Sequence, residues 1–294
     1  MLFSTKAIIV KKAFADTSVD ALTLLTLRMV FSLPFFLAAA FLVSNQAGNV
    51  QLTKKQWLYV VVLGLFGYYL SSYFDFVGLQ YISAGLERLI LFLYPTLVVL
   101  MNRIVFKQTI KKIQLIALLL TYTGIGIAYF NEMQIDTSNP YFFLGSALIF
   151  LCSITYAFYI AGSGKIIPSV GAAKFTAYAM LSATAGIFVH YIFRGDYSGF
   201  TEASGMWGYG LLLSIMATVI PTFMLSAGLS RIGANNVAII SAVGPVSTIL
   251  QAHWILGEPI HTGQIIGTAL VIAGVLLTGW KSEEAVGVSK RELT

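Results

Sequence analysis

Long apolar stretches of about twenty residues alternate along this chain with short polar turns. A helix that crosses a bilayer needs about 20 mostly apolar residues. Such stretches run over 22–43, 57–77, 84–105, 113–130, 142–162, 174–193, 207–229, 235–256 and 263–280, nine in all. A tenth apolar run, 1–14, is too short to cross and contains Lys6, Lys11 and Lys12. No cleavage site of small residues follows it, so it does not read as a signal peptide. The pattern predicts an all-α polytopic membrane protein.

Residues 78–130 and 218–280 are two diverged copies in register at an offset of 150. Gly78-Leu79 matches Gly228-Leu229, Pro95 matches Pro245, and Gln114 and Gly124 match Gln264 and Gly274. The unit carries about five spans, and an odd number forces the second copy into the membrane upside down. The expectation is a ten-helix bundle of two inverted five-helix repeats, 1–130 and 141–280, with a polar tail at 281–294. The first helix reads as truncated. Its counterpart, 142–162, is a full span ending before Ser169-Val170, which matches Ser18-Val19 at an offset of 151. Losing half a helix leaves backbone groups facing lipid at several kcal/mol each, so such a chain is expected to be impaired.

Charge placement orients the bundle. With ten spans and the N-terminus inside, twelve Lys and Arg fall in inner loops, and only Lys11, Lys12 and Arg194 in outer ones. This bias predicts an inner-membrane protein of a bacterium with a cytoplasmic C-terminus. The segment 131–140 holds Glu132 and Asp136 but no basic residue, and joins the two repeats. Composition agrees: 57% of the 294 residues are hydrophobic and only 10% charged, against roughly 25% charged in a soluble domain. The net charge of +6 does not point to nucleic acid, because the basic residues are scattered at span ends. Cys152 is the single cysteine, in an apolar run, and reads as a packing residue.

Ionisable groups inside spans are costly and are functional candidates for that reason. Arg28, Asp75, Glu87 and Arg88 fall in the outer half of the first repeat, while His190 and His253 lie elsewhere. Their second-repeat counterparts are Ala179, Leu225, Val237 and Ala238, so the charge is asymmetric. One reading is a paired cluster at a substrate cavity or outer gate, with Arg28 and Arg88 balancing Glu87. The other is interfacial residence. Adjacent helical residues point about 100° apart, so Glu87 and Arg88 cannot both face one wall.

The run from Tyr68 to Tyr73 offers hydroxyls at bilayer depth, and Tyr69, Ser72 and Tyr73 are candidates to line a site for a polar solute. Packing is the alternative for the tyrosines. Pro95 and Pro245 sit mid-span in matching helices and read either as static kinks or as hinges. Asn235 and Asn236 open a span and suit capping, while Gln251 and His253 lie near its outer end. Glu258 falls in an outer corner beside Pro259, where water is expected to solvate it. Gly263, Gly267 and Gly274 form a face of small residues. Such faces pack helices within a bundle, or here a homodimer.

The segment "GLQYISAGLERLILFLYPTLVVLMNRIVFKQ" and its copy "GLSRIGANNVAIISAVGPVSTILQAHWILGEP" resemble the EamA-type transporters of the drug/metabolite transporter superfamily. So does the closing helix "GQIIGTALVIAGVLLTGW". The resemblance implies a central substrate cavity and export of amino acids or other small metabolites. The first copy departs from it, with Val105-Phe106-Lys107-Gln108 where the second has Gly257-Glu258-Pro259 in its corner.

A membrane enzyme is the rival class, but the chain has no H-E-x-x-H and no clustered histidines or paired Asp at metal-ligand spacing. It has no P-loop either. No catalytic residue, cofactor or metal is expected. A passive uniporter, a channel or a structural membrane subunit stays open. The expected partners are a small-molecule substrate and the lipid bilayer.

Overall fold

A computed structural model describes residues 2–45, 51–106, 112–135, 139–194, 205–241 and 243–291. Among them every regular element is helical. The helices are α1 (Leu2–Thr17), α2 (Ala21–Ser44), α3 (Lys54–Gly78), α4 (Ala84–Leu91), α5 (Tyr94–Phe106) and α6 (Lys112–Ile135). Then follow α7 (Phe142–Val170), α8 (Ala172–Arg194), α9 (206–241), α10 (Val243–Gln251) and α11 (Thr262–Arg291). A π turn, Ala252–Leu256, directly follows α10, and two helices contain one at matching places, Leu65–Leu70 in α3 and Ile215–Val219 in α9. The two within helices are themselves in register at the repeat offset, although LFGYYL and IMATV share almost nothing.

Among the described residues, five helices are long and apolar enough to cross a membrane: α2, α3, α7, α8 and Met206–Arg231 of α9. Their outward faces are greasy, with Phe41 69% and Phe193 85% exposed. In water such a surface would aggregate, while in lipid it is the solvated face.

The expected spans 22–43, 57–77, 174–193 and 207–229 coincide with α2, α3, α8 and the first part of α9, whereas the fifth, 142–162, runs on to Val170 as α7. The expected span 84–105 is two helices, α4 and α5, separated by a turn at Phe92 and Leu93. Pro95 stands in the first turn of α5, where its missing N–H costs nothing. Pro245 lies in α10, and the residue that separates α10 from α9, 242, is outside the described ones. Ahead of α10 the halves differ. Ser83 caps α4 by accepting the Leu86 amide at 3.0 Å. Its counterpart is Gly233, which has no side chain to cap with, and α9 runs on as helix to Ser241. The polar tail likewise continues α11 as helix to Arg291. The basic loop residues Lys107 and Lys111, and residues 136–138 of the acidic linker, lie outside the described residues.

The run 1–14 is a helix of 16 residues, about 24 Å long at 1.5 Å per residue. Ile8, Val10 and Ala13 are buried, and α1 packs against α4, α9 and α10.

The packing follows the repeat. α1 lies on α9 and α10, as α7 lies on α3 and on α4 and α5. α2 packs on α8, and α6 on α11. At the α6–α11 contact a Cβ on Gly267 would sit 2.5 Å from the Gly124 carbonyl oxygen, and one on Gly124 2.6 Å from that of Gly267. The glycine face is therefore occupied within the chain, where it lets two backbones touch.

Candidate functional site

On α3, Tyr68, Ser71, Ser72 and Asp75 recur at helical spacing and share one inward face. The π turn sets the aim of this face. Across from it, the π turn of α9 presents Ala217 and Thr218, with Thr222 one turn further on. Between them lies a cavity of about 750 Å³ of empty space, its mouth included. Three pairs of matching repeat positions line it: Gly67 and Ala217, Tyr68 and Thr218, Ser72 and Thr222.

Lys6 of α1 reaches the same cavity and holds two carboxylates from two other helices. Its Nζ lies 2.7 Å from Asp75 Oδ2 and 3.8 Å from Glu87 Oε1, and both acids have fully buried side chains. Sequence reasoning missed this residue. Lys6 counted only against a membrane span, when an ammonium inside an apolar run is itself the signal.

The expected pairing of Glu87 with Arg28 and Arg88 is therefore replaced by a shared lysine. Arg28, 3% exposed, instead donates from Nη2 to Ser72 Oγ at 2.9 Å and stacks its guanidinium 5.0 Å from the Phe76 ring centre. Arg88 lines the cavity and points at α10, where a Cβ on Gly244 would meet its Nη2 at 2.6 Å. Only glycine at 244 leaves that room. Arg28 and Arg88 each keep a buried Nε with no acceptor. As the 100° rule requires, Glu87 and Arg88 face different ways.

An aromatic wall closes the rest. The Tyr159 hydroxyl donates to that of Tyr68 at 3.2 Å, and Tyr156 packs on Tyr94 with ring centres 5.1 Å apart. Cys152 is buried with its Sγ 3.3 Å from Ser71 Oγ, where it lines the cavity. Tyr69 and Tyr73 lie on the neighbouring face of α3, against α8. The Tyr69 hydroxyl is 3.2 Å from His190 Nδ1, and the Tyr73 ring centre 4.8 Å from that of His190. Of the polar-aromatic run, then, Tyr68, Ser71 and Ser72 face the cavity and Tyr69 and Tyr73 do not.

Glu258 is not simply solvated, as its corner position suggested. Its Oε1 accepts from the Ala84 amide at 3.1 Å and its Oε2 from Gly85 at 3.4 Å. A carboxylate from the second repeat thus caps the helix that carries Glu87. His253 is exposed, with Nδ1 2.9 Å from the Glu258 carbonyl oxygen. The side chains of Asn235 and Asn236 lie outside the described ones. Among the described residues no group of three His, Cys, Asp or Glu side chains could hold a metal ion.

The EamA-like transporter family model matches residues 1–130 and 143–280 of this chain. The chain belongs to the EamA-like transporter family. The uncharacterized transporter YcbK of Bacillus subtilis is 30% identical over 216 residues, 69% of this chain and 66% of YcbK. The uncharacterized transporter YetK of the same organism is 25% identical over 272 residues, 87% of this chain and 82% of YetK. A solved crystal structure, 17% identical, superposes with a TM-score of 0.68 over 97% of the EamA chain and 94% of its own. Family and apolar helices together make the EamA protein a multi-pass membrane protein.

Proposed function

We propose that the protein is a secondary transporter. It exports a small polar metabolite, an amino acid or a related compound, across a bacterial inner membrane by alternating access of two inverted halves. The observation that carries this reading is the cavity lined by matching positions of the two repeats. A site on the pseudo-symmetry axis is reachable from either side when one half rocks against the other. Arg28, Ser72 and Arg88 bind the solute, while Asp75 and Glu87 hold Lys6 in place. Tyr69 and Tyr73 support α3 from behind. Pro95, just after the turn at Phe92 and Leu93, and its counterpart Pro245 serve as hinges.

The test is flux. Purified protein in proteoliposomes, given a panel of labelled amino acids and other small polar metabolites, is expected to show saturable counterflow of at least one. Chemical turnover of a panel member without flux would overturn the reading.

A further inference from the structure

Three cations and two carboxylates meet at the cavity. Lys6, Arg28 and Arg88 line it, and Asp75 and Glu87 stand behind Lys6. Lys6 occupies both acids. Among the described residues neither guanidinium forms an ion pair with a carboxylate. Arg28 has a serine hydroxyl and a phenyl face, and Arg88 has the notch at Gly244. With every group ionised the cluster carries one net positive charge. A buried charge without a counter-charge is costly, and an incoming anion removes that cost.

We infer that Arg28 and Arg88 form a carboxylate-recognition site and that the transported molecule is a small organic acid with one carboxylate and an apolar or aromatic body. This rests on the cavity being the transport site. A guanidinium presents a planar fork of donors that matches a carboxylate's two oxygens. Each fork has donors to spare, since a guanidinium carries five N–H groups and Arg28 uses one on Ser72. The rings of Tyr68, Phe92, Tyr94 and Tyr156 supply the wall for the body. The ammonium of a zwitterion would have to compete with Lys6 for the two acids. Monocarboxylates therefore bind ahead of amino acids, and amines do not bind.

Benzoate, benzamide and benzylamine have nearly the same shape and differ in charge. With full-length protein in detergent and a sulfate buffer, benzoate is expected to raise the unfolding temperature saturably, and the other two are not. Arg88→Gln should weaken benzoate binding about tenfold or more, the worth of one good charged hydrogen bond. Gly244→Ala, which crowds Arg88 without removing its charge, should weaken it too, and so checks the assignment if Arg88→Gln folds poorly. Equal stabilisation by benzamide, or by chloride in place of benzoate, overturns the inference. Flux of a neutral or cationic metabolite that is indifferent to both benzoate and Arg88→Gln overturns it as well, and leaves the transporter reading standing. Benzoate binding without flux of any panel member supports the site and overturns the transporter reading instead.

Discussion

Among the described residues, Lys6 is the cation that forms ion pairs with two buried acids on different helices. Removing it leaves both carboxylates uncompensated at low dielectric, which costs about 3–5 kcal/mol for a buried pair. Lys6→Met is expected to lower the unfolding temperature in detergent clearly, and adding Asp75→Asn and Glu87→Gln to it should recover part of the loss. A Lys6→Met protein as stable as wild type would show that the acids are already neutral. Asp20 behaves differently because it sits outside the spans. Its carboxylate accepts the Leu22 and Thr23 amides and pairs with Arg194. Burial alone would raise its pKa. The Thr23 hydroxyl and amide, helped by Arg194, outweigh burial and hold it below the ordinary value. With a depressed folded pKa, its stabilisation is full above the unfolded value of about 3.9 and fades as pH falls through the folded one. Asp20→Asn keeps a capping oxygen but loses the charge that meets Arg194 and the helix dipole, so it should lower stability near pH 7 by about 0.3–1 kcal/mol. The gap to wild type should close below about pH 4, as paired melts at the two pH values would show.

α4 is eight residues long and is capped twice, by Ser83 from its own repeat and by Glu258 from the other. A carboxylate at a helix N-terminus also meets the positive end of the helix dipole. Glu258→Ala is expected to cost about 0.5–2 kcal/mol and to loosen α4. Amide exchange at Ala84 and Gly85 reads this directly, and unchanged protection there would remove Glu258 from the cap. Transport should then suffer from this substitution as well as from Glu87→Gln. The long helices were readable in sequence because lipid requires apolar residues all around a span. The break between α4 and α5 was not. A proline inside an apolar run reads as a bend, and nothing local distinguishes that from two helices with Pro95 opening the second. The π turns were unreadable for a related reason: LFGYYL and IMATV give no common signal, yet the two backbones widen at matching residues.

Across the molecule, the charged candidates Arg28, Asp75, Glu87 and Arg88 came from the sequence because charge in a span is rare, and the structure brings all four to one region. Their partners did not, because Lys6 on α1 pairs with Asp75 on α3 and no spacing rule links positions 6 and 75. The proposed inversion of the two halves has its own test. In a Cys152→Ser background, cysteines placed at 107–112 and at 131–140 should label from opposite faces of the membrane, and labelling from one face would require a different topology. The Lys6 cluster also has a consequence for biogenesis. Lys6, Asp75 and Glu87 all lie before Leu91, so the ribosome has made every member before α7 begins. The insertion machinery can therefore release these charges into lipid already neutralised, and the nascent first repeat need not wait for the second to shelter them.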